Sequence, residues 1–159
     1  CIVHTLMILV GKNNDSRLIS LMEDYIKRIR KNNRLDIQII PELKKKGKIS
    51  EKLQKQKEGK LIIEKLKVGD WIVLLDEKGK LYDSIGFSEY IKAKRSSSNK
   101  RLVFVIGGPY GFSEEIYTKC HEKITLSRMT FSHQMVRLFF LEQLYRANSI
   151  LNNESYHHK

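Results

Sequence analysis

Cysteine is nearly missing. Cys1 and Cys120 are the only two in 159 residues, and they form no CxxC pair and no metal-ligand spacing. That argues against a disulfide or zinc framework and suits a reducing cytoplasm. Cys1 stands where an initiator methionine would be expected, so it reads as a processed or incomplete terminus. A lipidated mature end has little support, because strand-forming residues begin at once. Long apolar runs are missing too. None approaches the roughly 20 residues of a membrane-spanning helix. The first, Ile2–Val10, has the composition of a strand rather than the layout of a signal peptide. Acidic residues are outnumbered, 18 against 30 lysines and arginines, which leaves a formal charge of +12. Such an excess points toward a polyanionic partner, nucleic acid ahead of a membrane surface, with a merely solubilising surface as the competing explanation. There is no G-x-G-x-x-G, no Walker loop, no Ser/His/Asp set and no catalytic Cys–His pair. The histidines come without the acidic or thiol companions of a metal site, so no metal is expected.

What is present alternates between strand and helix patterns. Hydrophobic residues make up 41% of the chain, enough to build a core and too many for a disordered segment. After Ile2–Val10, Asp15 or Ser16 can cap a helix whose Leu18, Met22, Tyr25, Ile26 and Ile29 share one face. Leu35–Ile40 runs into Pro41 and suits a strand near a sheet edge. Glu42–Lys60 is the most polar stretch, and its run Lys44-Lys45-Lys46-Gly47-Lys48 predicts a mobile loop that either meets phosphate or only solubilises. A helix is expected from Ser50 to Lys67, packing through Leu53, Leu61, Ile62 and Leu66. Trp71–Leu75 is a buried strand emptying into a loop at Asp76–Lys80. Ser84 can cap a helix to Arg95 with Phe87, Tyr90 and Ile91 inward, and Ser96–Asn99 is a short linker. This alternation predicts one α/β domain over residues 1–159, a mostly parallel sheet of about five strands with helices on both faces.

The stretch from Arg101 to Leu151 carries the chemistry. Arg101–Ile106 is apolar enough for a strand buried on both faces, and it ends in Gly107-Gly108-Pro109-Tyr110-Gly111. Ser113 can cap a following helix, with Glu114 and Glu115 at its positive end and Phe112 stapled onto Tyr117. Ile124–Leu126 is a second short strand, followed by Ser127–Phe131 and a long helix from about Ser132. The glycines at 107 and 108 suggest a tight turn with positive φ, or a ligand cradle in which Pro109 supplies no N–H. Loops at strand carboxyl ends are where open α/β sheets bind small ligands. The helix from Ser132 has almost no polar side around Met135, Val136, Leu138, Phe139, Phe140 and Leu141, so a second cover is expected, most naturally another copy with Phe139 and Phe140 at the contact. Arg137, emerging among those residues, needs an acidic or phosphate partner. Glu142 and Arg146 form an i,i+4 pair that stabilises the helix.

Val105-Ile-Gly-Gly-Pro-Tyr-Gly111, Leu126-Ser-Arg-Met-Thr-Phe-Ser-His-Gln-Met135, Glu142-Gln-Leu-Tyr-Arg-Ala147 and the terminal Tyr156-His157 resemble, in order and spacing, the trefoil-knotted SPOUT-class methyltransferases. Within them they most resemble the methyltransferase H family, which methylates N3 of a pseudouridine in bacterial large-subunit ribosomal RNA. The resemblance implies a SPOUT fold with a C-terminal trefoil knot and S-adenosylmethionine as cofactor. It also implies a cytoplasmic homodimer acting on 23S ribosomal RNA in the large subunit or assembled ribosome. Leu75, Gly107, Gly108, Leu126, Ser127, Arg128, Met129, Thr130 and Phe131 match the cofactor-binding positions, so a β-carbon at Gly107 should intrude on the nucleoside. His157 or Tyr156 would place or deprotonate the base, across the dimer if need be, and Arg137 would anchor phosphate. A related knotted enzyme acting on tRNA and a non-catalytic basic RNA-binding module are the alternatives.

Overall fold

The computed structural model describes residues 4–42, 50–97, 100–108 and 110–158. Strands and helices alternate through them as β1 (His4–Val10), α1 (Ser16–Arg30), β2 (Leu35–Ile40), α2 (Glu51–Glu64), β3 (Asp70–Leu81), α3 (Ser84–Arg95), β4 (Arg101–Ile106), α4 (Glu114–Lys119), β5 (Glu122–Thr125) and α5 (Met135–Leu151). The strands form one sheet in the order β2-β1-β4-β3-β5, every neighbouring pair parallel. β2 lies at an edge, as its exit into Pro41 suggested.

A parallel sheet covered on both sides needs strands apolar on both faces, and β1 and β4 supply them. Met7, Leu9, Phe104 and Ile106 point to one layer, where Leu18 and Met22 of α1, Phe87 and Ile91 of α3 and Phe140, Leu141 and Leu144 of α5 close the core. Leu6, Ile8, Val103 and Val105 point to the other, under Ile62 of α2 and Ile116 of α4. Three helices on one face and two on the other give the α/β architecture expected.

Several local expectations need correcting. The helix of residues 50–67 is shorter: Ser50 is its cap, accepting from the Leu53 amide, and it ends at Glu64. Its buried side is Gln54, Glu58, Gly59 and Ile62, while Leu53 is exposed. Ile62 is buried and Leu61 and Leu66 pack against the core as expected, and small Gly59 lets α2 lie close to Ser113 and Ile116. The lysine run at 44–48, Cys1, Pro109 and the Ser98-Asn99 part of the linker lie outside the described residues. α3 is capped by Asp83, whose carboxylate accepts from the Gly86 amide at 2.6 Å, and not by Ser84. The loop expected at Asp76–Lys80 is strand: β3 runs on to Leu81, with a register shift between Leu75 and Lys80 where it meets β5. Gly79 permits that close passage, since a β-carbon there would sit 2.5 Å from the backbone of Ile124. Phe140 is not an outward residue. It is 0% exposed, packed 4.7 Å from the Phe104 ring, so only Phe139, 38% exposed, remains open to a second copy.

Candidate functional site

The carboxyl end of β4 lies beside Leu75 in the middle of β3, where the pairing with β5 shifts register, so the segments that leave β4 and β5 converge on Leu75, Asp76, Glu77 and Lys78. Between them is a cavity of about 550 Å³. Its apolar walls are Leu75, Ile106, Leu126, Phe131 and Val136, and Gly107, Gly108, Gly111, Thr125, Ser127 and Thr130 complete the lining. Of the expected cofactor residues, Leu75, Gly107, Gly108, Leu126, Ser127, Met129, Thr130 and Phe131 line it. Arg128 does not, and stands exposed beside it.

Local bonds shape these walls. β4 ends at Ile106, and the turn closes with the Gly111 amide donating to the Gly108 carbonyl at 3.2 Å. The positive φ expected at Gly107 or Gly108 falls on Gly111, at 80°, with open space where a β-carbon would stand. At Gly107 a β-carbon would meet the Phe112 ring at 3.1 Å, so the crowding there comes first from the chain itself. Phe112 in turn packs edge-on against Tyr117, 5.9 Å between centroids, as the staple predicted. Beyond β5, the Thr125 hydroxyl donates to the Ser127 carbonyl at 2.8 Å and the Ser127 hydroxyl accepts from the Met129 amide at 3.0 Å. These two bonds curl the segment inward.

Sequence reasoning missed the polar end of the cavity. Asp76 accepts from the Tyr117 hydroxyl on one oxygen and from the Lys78 amide, at 2.9 Å, on the other. Burial, then the Asp76 carboxylate, pushes the Tyr117 phenol well above its ordinary value. Tyr117 therefore stays a donor at the cavity wall. His133 also lines it. The signal that could have found Asp76 was its place directly after the apolar run Trp71–Leu75, at the level where β4 ends.

Arg137 stands elsewhere. It is 0% exposed, and its guanidinium donates to the carbonyls of Val10 and Gly11, at 2.5 and 2.9 Å, and to Asn13 Oδ1 at 2.8 Å. Carbonyl oxygens, not an acid or a phosphate, accept from its two Nη groups, its buried Nε has no partner, and it ties the start of α5 to the end of β1. Burial lowers its pKa to about 10, with Glu42 acting in the opposite sense. Tyr156 and His157 do not line the cavity of their own chain; they fold back against α5 and α1.

Residues 3–157 match the family model described as "Predicted SPOUT methyltransferase". The chain belongs to that family. Among curated relatives, "Ribosomal RNA large subunit methyltransferase H" of Flavobacterium johnsoniae is 54% identical over 96% of this chain and 98% of its own. The protein of the same name from Bacteroides thetaiotaomicron is 52% identical over 99% of this chain and 100% of its own. Among solved structures, a probable methylase family protein from Haemophilus influenzae covers 99% of this chain and 71% of its own with a TM-score of 0.55. At 13% identity that likeness speaks for the fold alone.

A SPOUT methyltransferase draws its methyl group from S-adenosylmethionine, and the cavity suits that molecule. The apolar walls can sandwich a flat purine, main-chain edges can read its nitrogens, and a carboxylate at one end suits a molecule that carries positive charge. Among the described residues no group of three or more His, Cys, Asp or Glu could hold a metal ion. Among them too, no helix is long and apolar enough to cross a membrane.

Proposed function

We propose that this chain is an S-adenosylmethionine-dependent methyltransferase of large-subunit ribosomal RNA, working in the cytoplasm as a homodimer of a single domain and methylating N3 of a pseudouridine. The observation that carries this is the convergence of the ends of β4 and β5 and the middle of β3 on one apolar-walled cavity built from the segments that also carry the family's motifs. The relatives' names supply the substrate class, and a charge of +12 accords with RNA.

In this reading Leu75, Leu126 and Phe131 hold the faces of the adenine, and Gly107, Gly108, Ser127, Met129 and Thr130 offer main chain to its edges. The cofactor supplies an electrophilic methyl group on a sulfonium. The protein's share is mainly alignment of nucleophile, methyl carbon and leaving sulfur. Exposed Arg128 beside the cavity takes the phosphate role that buried Arg137 does not suit. The trefoil knot belongs to this reading as well. What supports it is that Gly107, Gly108 and Phe112 line the same cavity as Leu126, Phe131 and His133, before α5 begins. The dimer is supported by Met129, Phe131, Met135 and Phe139, apolar side chains exposed together around the start of α5, with Phe131 and Phe139 in ring contact at 5.0 Å.

The test is mass spectrometry of ribosomal RNA from a strain lacking this gene. A methyl group lost from one pseudouridine, and restored by the gene, is expected. Fully methylated large-subunit RNA would overturn the proposal, and a methyl group lost from tRNA instead would redirect it.

A further inference from the structure

The terminal residues are clasped. The Tyr156 hydroxyl donates to Glu142 Oε1 at 3.0 Å and lies 3.3 Å from the Tyr25 hydroxyl. Its ring meets Tyr145 at 4.8 Å and 70°, with the Arg146 guanidinium 4.8 Å from its centroid. Glu142 Oε1 also accepts from Arg146 Nε and Nη2, at 3.1 and 2.5 Å. So oriented, Arg146 places Nη1 3.1 Å from His157 Nδ1. The pair Glu142–Arg146 is thus more than a helix staple.

A guanidinium has donors and no acceptor, so in this contact Nδ1 must accept. The single ring proton of a neutral imidazole then sits on Nε2. A second proton, on Nδ1, would set two donors and two positive charges face to face. We infer that His157 serves methyl transfer as a hydrogen-bond donor through Nε2–H, not as the base that takes the N3 proton, and that Arg146 is the positioning residue that fixes this tautomer. The inference rests on the proposal that the tail acts at the active site of a second copy.

The chemistry needs such a donor. The imide N3–H loses its proton to water, and the negative charge spreads over N3 and the two flanking carbonyl oxygens. An N–H aimed at one of those oxygens favours the anion where its charge develops. N3 then bonds to the methyl carbon as the carbon–sulfur bond breaks, and that electron pair stays on sulfur. The other groups around His157 are consistent with a held donor: Glu142, Arg146 and Tyr145 on α5, Tyr25 and Arg28 on α1, and Tyr156 on the tail.

Glutamine keeps an N–H donor but cannot act as a base, so His157→Gln and His157→Ala separate the two roles. Methylation is measured on ribosomes from the deletion strain between about pH 6 and 9, a range spanning the imidazole's ordinary ionisation. His157→Gln is expected within about tenfold of the wild type, and His157→Ala down by about a hundredfold. A glutamine variant as inactive as the alanine one would overturn the inference. Nitrogen-15 NMR of the dimer gives a readout independent of activity. It should show His157 as the Nε2–H tautomer in the wild type and as a mixture in Arg146→Met, whose S-adenosylhomocysteine affinity stays unchanged. An Nδ1–H tautomer in the wild type would sink it. Full activity after deletion of residues 156–159 is the separate result that refutes the tail's part in catalysis.

Discussion

Arg137 and Gly79 are two residues whose type is dictated by what the backbone does nearby. A fully buried guanidinium bonded to the carbonyls of Val10 and Gly11 is a structural fastener, so its removal strands those carbonyls and opens a cavity. Arg137→Met is expected to cost about 3 kcal/mol in denaturant unfolding, and to weaken S-adenosylhomocysteine binding only through the displaced start of α5. A stability loss under ~0.5 kcal/mol would show the bonds to be dispensable. At Gly79 even one methyl group must push β3 away from Ile124, because the clash is with backbone and not with a side chain that can turn aside. Gly79→Ala should therefore destabilise by about 2 kcal/mol and lower cofactor affinity in calorimetry, since Leu126 follows directly on β5. Neither role was legible in the sequence. An arginine among apolar residues announced a partner without naming it, and Gly79 looked like an ordinary turn residue because its reason lies 45 positions away at Ile124.

Among the elements, α5 shows where periodicity stops. Its apolar residues surround the helix, and only packing tells which of them face the sheet and which face outward. Phe140 sits between Phe87 and Phe104, whereas Phe139 meets Phe131 at the surface. Phe140→Ala should cost about 3–5 kcal/mol of stability. Phe139→Glu should leave the monomer's melting nearly unchanged and shift sedimentation toward monomer; an unaltered dimer would move the interface elsewhere. The junction of β3 and α3 gives a pH prediction. Burial first, then the bond to Glu122, pushes the Tyr82 phenol up to about 12 from 10.0. A phenol whose folded value lies above its unfolded one adds stability below pH 10 that is lost as pH rises through about 12. Thermal melts between those limits should fall less steeply for Tyr82→Phe than for the wild type. Parallel slopes would mean that this side chain contributes nothing there. The strands themselves were legible because β1 and β4 are apolar on both faces, while β3 was cut short in expectation because its far end is polar and held only by β5.

For the whole molecule, alternation of strand and helix was enough to anticipate a parallel sheet with ligand-binding loops at one edge. It could not anticipate that the tail folds onto α5, because an end after a helix ordinarily frays and the clasp draws on Tyr25, 131 residues earlier. That clasp bears on how the active site is completed. Val136 lines the cavity and Glu142, which holds Tyr156, comes six residues later, about 9 Å along the helix and on another face. A tail so held does not line the cavity of its own chain, and in the proposed dimer it would serve the neighbouring one. Deleting Tyr156–Lys159 should therefore leave S-adenosylhomocysteine affinity nearly intact and abolish methylation at matched ionic strength. The decisive form of the experiment mixes two inactive chains. One lacks the tail and keeps its cavity; the other keeps the tail and carries Gly107→Val, or Leu126→Glu should Phe112 not yield to valine. If the tail serves the neighbouring cavity, random pairing makes half the dimers mixed, each with one complete site, and about a quarter of wild-type activity returns. A mixture as inactive as its parts would place the tail's action within its own chain, and the clasp on Glu142 would then have to open before catalysis.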